Sequence, residues 1–118
     1  MNQRPVTPLP IPPPEHPRDK LYLFLEAERH RQDKHFGQQD HPNGTGDTWA
    51  GCSRDTREAC EENFKLGLGT WADILLEEVY EALAESEPAK LAGELVQCGA
   101  VILAWLEAIE RQPVEVAA

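Results

Sequence analysis

The residues with the most chemical potential in this chain are carboxylates at helical spacing. Asp73, Glu77, Glu81 and Glu85 recur every four residues, so on a helix they form one acidic ridge, with Glu78 one step around the cylinder. No Lys or Arg occurs between Lys65 and Lys90. Like charges one helical turn apart repel by a few tenths of a kcal/mol, and solvated faces usually interleave lysines to avoid this. The ridge therefore calls for neutralisation from elsewhere. Glu94 and Gln97 follow in the most apolar stretch of the chain, beside Leu95, Val96 and Cys98. Oxygens placed there are expected to face a core or a cleft, where an unpaired carboxylate is costly unless it is protonated, paired or coordinated. Hard oxygen donors from two facing helices suit Mg²⁺, with Mn²⁺ able to substitute. The plainer reading is an acidic surface helix with Glu94 at its rim, but the missing basic partners and apolar flanks speak against it. A ferritin-like di-iron bundle would need a Glu-x-x-His element, and His16, His30, His35 and His41 all precede the acidic helix.

The elements that must position these groups read as four helices and no strands, an all-α fold. The first runs from Arg18 to about Phe36, with Leu21, Phe24 and Leu25 on one face, and stops at Gly37. Turn formers crowd the segment from His41 to Gly46, so Gly37 to about Ser53 is expected to be a long loop. A shorter helix follows from about Arg54 to Lys65, closed by Gly67 and Gly69. Thr70, with Asp73 at capping-box distance, starts a third helix to about Ser86. Pro88 opens a fourth that reaches about Arg111, and Pro113 stops it. The last two helices are apolar on more than one side, from Ile74 to Leu83 and from Leu91 to Ile109, which predicts several neighbours for each. Some of those neighbours should come from a second subunit, so a homo-oligomer, dimer or tetramer, is expected.

Residues 1–19 hold seven prolines and read as an extended polyproline-like arm, residues 20–112 as one domain, and 113–118 as a short tail. The formal net charge of −10 excludes a nucleic acid polymer as the main partner, since phosphate backbones are held by basic surfaces. A phosphate ligand is not excluded, because cations gathered by carboxylates present the positive charge. Cys52, Cys60 and Cys98 form neither CxxC spacing nor an even set, which fits a reducing, cytoplasmic setting. The longest apolar run, Gly99 to Leu106, is too short for a bilayer, and no membrane association is expected.

The arrangement Glu77-Glu78-x-x-Glu81 followed by Glu94-x-x-Gln97 on consecutive helices resembles the EExxE…ExxD signature of the all-α NTP pyrophosphatase superfamily, in particular small MazG-like proteins of phage and actinobacterial type. The resemblance covers about Leu21 to Arg111. It implies a four-helix MazG-like bundle, completed by oligomerisation, and a Mg²⁺ site formed by Glu78, Glu81, Glu94 and position 97. The chain departs from the pattern at Gln97, where the family usually has Asp; a neutral carbonyl oxygen still ligates a hard cation, more weakly. The implied activity is hydrolysis of a nucleoside triphosphate, (d)NTP, to the monophosphate and pyrophosphate. Base preference is not readable from the chain, and a purine such as (d)GTP is the substrate to try first. Cations held by Glu78, Glu81 and Glu94 would bridge the phosphates and lower the pKa of the attacking water, and Glu77 could accept its proton. The alternative is a catalytically weak nucleotide-binding module of the same fold.

On the first helix the Leu21, Leu25 face continues through Glu28, Gln32, His35 and Phe36, an apolar stripe turned polar, which suggests a base pocket in which Gln32 reads a base edge and Phe36 stacks. The segment Glu28 to Gly46 is also similar to a helix-and-loop signature of MazG-like phage proteins. Lys65 and Lys90 are candidate phosphate contacts on chemical grounds.

Overall fold

A computed structural model describes residues 16–113, and these divide after Gly37 into two compact units. The proline-rich arm as far as residue 15 and the tail beyond Pro113 lie outside the described residues. Among the described residues the structure is all-helical: α1 (Asp19–Phe36), a 3-10 turn η1 (Asp47–Trp49), α2 (Ala50–Lys65), α3 (Trp71–Ala84) and α4 (Pro88–Glu110).

The first unit is α1. Its charges are laddered along the helix: Arg29 to Asp33 at 2.8 Å, His30 to Glu26 at 3.1 Å, and Arg31 on Glu28. The Arg31 guanidinium holds the Glu28 carboxyl below its ordinary range. Gly37 ends the helix with φ 67° and donates its N–H to the Asp33 carbonyl at 2.8 Å, a backbone geometry that favours glycine. Of the face predicted to be apolar and buried, Leu21 is buried, whereas Phe24 and Leu25 are exposed.

The second unit is centred on α3, which packs against α2 on one side and α4 on the other, with η1 against α3 and α2. The expected loop of residues 37–53 is shorter than its composition suggested. Turn formers govern it only as far as Gly46, whose N–H donates to the Leu83 carbonyl of α3 at 2.8 Å. Trp49 then donates Nε1–H to the Gly44 carbonyl at 3.0 Å and lies against Tyr80 of α3, centroids 6.2 Å apart. Anchored this way, the chain enters α2 at Ala50, before Arg54, and buries Ser53 within that helix.

The predicted capping box at α3 is present. Thr70 Oγ1 accepts from the Asp73 N–H at 3.1 Å, and the Asp73 carboxylate accepts from the Thr70 N–H at 3.0 Å. Asn63 of α2 also donates to Asp73, at 3.3 Å. α3 stops at Ala84 rather than Ser86, because Glu85 and Glu87 take extended backbone ahead of Pro88, which disfavours helix in the residue before it. The short connection makes α3 and α4 an antiparallel hairpin. Trp71 stacks on Trp105 across it, centroids 6.4 Å apart and planes within 10°. Ala82, Leu91 and Cys98 form the buried core, with Val79 packed against it.

Among the described residues much apolar surface lies outside that core: Leu76, Leu95, Val96, Ile102 and Ile109 are exposed. The contiguous run from Gly99 to Leu106 also understates α4. As folded it is 23 residues, long and apolar enough by length and composition to cross a membrane.

Candidate metal centre

Glu78 and Glu81 are three residues apart on α3 and so share the face turned to α4, from which Glu94 projects toward them. One carboxylate oxygen from each lies within 4.8 Å of the others, and all three side chains are half-buried. Glu78 Oε2 and Glu94 Oε2 are buried without a hydrogen-bond partner. Leaving a buried acceptor unsatisfied costs about 1–3 kcal/mol, more when it is charged. Burial, and then the charges of Glu81, Glu94 and Glu77, push the Glu78 carboxyl above its ordinary pKa. Burial likewise raises Glu81, helped by Glu77 and Glu94 and opposed by Arg57. The arrangement fits a hard divalent cation. Such an ion holds oxygens at about 2.1 Å, hence at most about 4.2 Å from one another, within small side-chain rotations of the spacing here.

The ridge read along α3 does not act as one unit. Asp73 is used by the capping box and Asn63, and Glu85 Oε1 accepts the Glu87 N–H at 3.1 Å. Glu77 lies outside the three-carboxylate cluster, and its charge acts both on the Cys60 thiol of α2 and on Glu78 and Glu81. Gln97, predicted to complete the ligand set, is exposed. The residue that continues Glu94's inward face is Cys98, four positions on and buried, because a helix returns to the same side nearer four residues than three when its partner lies along that line.

Arg57 is the group that the sequence reading missed. Its Nε lies 3.8 Å from Glu81 Oε1, so the basic counterpart absent from α3 comes from α2. The pair is half-exposed and weakly stabilising. Only the packing of α2 on α3 reveals it, since 24 positions separate the two residues in sequence.

The other predicted contacts are placed as follows. In α1, Gln32 Oε1 accepts from Arg29 Nη1 at 2.7 Å, and His35 and Phe36 are exposed and meet edge to face at 4.4 Å. In the second unit, Lys65 is an exposed residue of the last turn of α2, and Lys90 Nζ lies 3.2 Å from Glu87.

Two thiols border the carboxylates. Burial, then the neighbouring Glu77 carboxylate, pushes Cys60 up to about 11. Burial, then Glu78 and Glu94, raises Cys98. Both are therefore held as thiols at neutral pH, and Cys52 is exposed. Iodoacetamide at pH 8 should alkylate Cys52 quickly in the native protein and the other two only after denaturation, a difference of at least about 10-fold in rate that peptide mass mapping can read. Equal labelling of all three would contradict this packing.

No family model matches the chain, and neither a curated protein nor a solved structure matches it. Fold and site together define an all-helical protein with a three-carboxylate cluster between its last two helices.

Proposed function

We propose that the chain is a Mg²⁺-dependent nucleoside triphosphate pyrophosphohydrolase with a MazG-like active site. The observation that carries the reading is the pair of buried, unpartnered oxygens of Glu78 and Glu94 in one cluster with Glu81. Unpartnered buried carboxylate oxygens cost stability, and a bound cation would supply the partner that they lack.

Glu78, Glu81 and Glu94 would hold the cation, which when bound supplies positive charge to the triphosphate and to the charge developing in the transition state. Water forms a bond to the α-phosphorus, the bond from that phosphorus to the α–β bridging oxygen breaks, and pyrophosphate leaves. The water's proton passes to a carboxylate. Glu77 is the candidate acceptor, since it stands beside the cluster and its charge acts on both Glu78 and Glu81. Lys65 and Lys90 are the basic side chains of this unit assigned to the phosphates, and the acidic chain relies on the cation for the remainder of the neutralisation.

Purified protein with Mg²⁺ or Mn²⁺ and each (d)NTP should release monophosphate and pyrophosphate in equal amounts, fastest with a purine such as (d)GTP. Nucleotide binding without release would instead assign a binding module. Neither binding nor cation-dependent stabilisation would overturn both readings.

Gln97→Asp adds a carboxylate one turn from Glu94 at an exposed position. In water a unit charge about 4 Å away is worth about 1 kcal/mol, so the Mg²⁺ concentration for half-maximal activity should fall by roughly 5-fold or less, with the saturated rate retained. A Mg²⁺ titration of pyrophosphate release checks this. A drop in the saturated rate would mean that Gln97 acts as a hydrogen-bond donor.

A further inference from the structure

Arg57 stands where a helix built only for packing would place an apolar residue. Along α2 it follows the buried Ser53 by four residues and precedes the buried Cys60 by three, so it shares their side of the helix. From there its Nε comes within 3.8 Å of Glu81 Oε1, an ion pair and not a hydrogen bond, with half of the side chain in solvent. Its charge is the influence that opposes burial and the acidic neighbours at the Glu81 carboxyl. A pair this long and this exposed contributes little to stability. The other basic residues of the second unit lie elsewhere. Arg54 is 3.9 Å from Asp55, Lys90 is 3.2 Å from Glu87, Arg111 follows the end of α4, and Lys65 is in the last turn of α2, about 12 Å along the helix from Arg57 at 1.5 Å per residue.

On the reading of Glu78, Glu81 and Glu94 as cation ligands, on which this rests, we propose that Arg57 is the counterion of the cation-free cluster and the phosphate-binding residue of the loaded one. Without cation, the guanidinium charge lies beside one of the three ligands and competes with the ion for it. Once Glu81 is engaged by a cation, its attraction for Arg57 falls. The guanidinium then stands next to the site with N–H donors in a planar fork that matches phosphate oxygens. Its side chain is long and half in solvent, so it turns from Glu81 to a phosphate without any movement of α2. The same positive charge therefore has opposite effects on two equilibria. It weakens binding of the cation alone and strengthens binding of a triphosphate to the cation-loaded protein, which sets the order as cation first and triphosphate second. The base plays no part in this, so inorganic triphosphate should respond as a nucleotide does.

Titration calorimetry on the full chain separates the two effects without any turnover. The probes are Mg²⁺ alone, Mg²⁺ with an α,β-methylene purine nucleoside triphosphate, whose bridging carbon blocks cleavage, and Mg²⁺ with inorganic triphosphate. Arg57→Gln should bind Mg²⁺ alone more tightly than the parent, by up to about 5-fold, the effect of one unit charge about 4 Å away in water. At saturating Mg²⁺ it should bind both triphosphates at least about 10-fold more weakly, the loss of a hydrogen bond to a charged group. Arg57→Lys keeps the charge but not the fork, so it should retain the parent's affinity for Mg²⁺ alone and lose only part of that for triphosphate. Both variants should keep the parent's far-ultraviolet circular dichroism spectrum. A residue that merely props α2 on α3 would instead lower the Tm and weaken both bindings together. That result, or parent-like triphosphate affinity in Arg57→Gln, would overturn the role of Arg57 and leave the metal centre standing. A parent that binds neither Mg²⁺ nor either triphosphate would overturn the metal-centre reading, and the role of Arg57 with it.

Discussion

Glu81→Gln is expected to abolish pyrophosphate release, by at least about 100-fold, while the helix content stays that of the parent. Glu81 faces α4 within the three-carboxylate cluster, and its amide counterpart keeps the shape while removing one negative charge from the set meant to hold the cation. Changing even an outer partner of a metal ligand typically costs about 10–100-fold, so loss of a ligand's charge sets that range as a floor. The fold should tolerate the change. Arg57 is the basic residue that faces Glu81, at 3.8 Å, and such a pair contributes about 0–1 kcal/mol at a partly exposed position. Raising Mg²⁺ should recover little, since the missing charge is not replaced. Parent-like turnover in Glu81→Gln at limiting Mg²⁺ would remove Glu81 from the site and with it the assignment of this cluster as a metal centre.

Glu78→Gln should separate two effects that coincide at one residue. Without cation, the parent keeps Glu78 beside Glu81 and Glu94 with a buried, unpartnered oxygen, and its carboxyl is raised by burial first and by the neighbouring carboxylates next. The amide removes the charge and supplies an N–H donor, so the cation-free variant should be more stable than the parent by about 1 kcal/mol or more. For a domain of this size that is a rise in Tm of roughly 4–8 °C. The shift in Tm that the parent shows on adding Mg²⁺ should disappear in the variant.

The pH dependence has the same origin. A carboxyl whose folded pKa exceeds its unfolded value takes up a proton more readily in the folded state. It therefore penalises folding in full above the raised pKa. That penalty fades as pH falls through it, and below the ordinary carboxylate range it is gone. The cation-free parent should accordingly gain on Glu78→Gln as pH is lowered from neutrality, the difference between the two Tm values narrowing on the acid side. A lower Tm for the variant at neutral pH would show that the Glu78 carboxylate is a structural acceptor instead.

Much of the second unit follows from local chemistry. Thr70 with Asp73 sets the start of α3, Gly67 with its φ of 73° closes α2, and Pro88 fixes where α4 begins. These are interactions within a turn or two of chain, so their signals lie side by side in the sequence. Helical spacing by itself grouped Glu81 with Asp73, Glu77 and Glu85 and left Glu78 one step around; the set of Glu78, Glu81 and Glu94 came from the resemblance to the EExxE…ExxD signature. The start of α2 was not legible in the sequence. Its turn-rich approach is redirected by Gly46 on Leu83 and by Trp49 beside Tyr80, contacts with α3 that no window along the chain contains.

By itself, then, the sequence determined an all-helical chain, the caps that delimit α3 and α4, and a set of carboxylates concentrated where basic residues are missing. Tertiary structure alone decided which members of that set meet. Asp73 went to a cap, and Glu78 and Glu81 to Glu94, while Gln97 stayed exposed and Cys98 took the inward position. The physical reason is that spacing fixes the angle of a side chain about its own helix but not the line along which the neighbouring helix approaches. That line is set by the packing of Trp71 on Trp105 and of Val79 and Ala82 on Leu91 and Cys98.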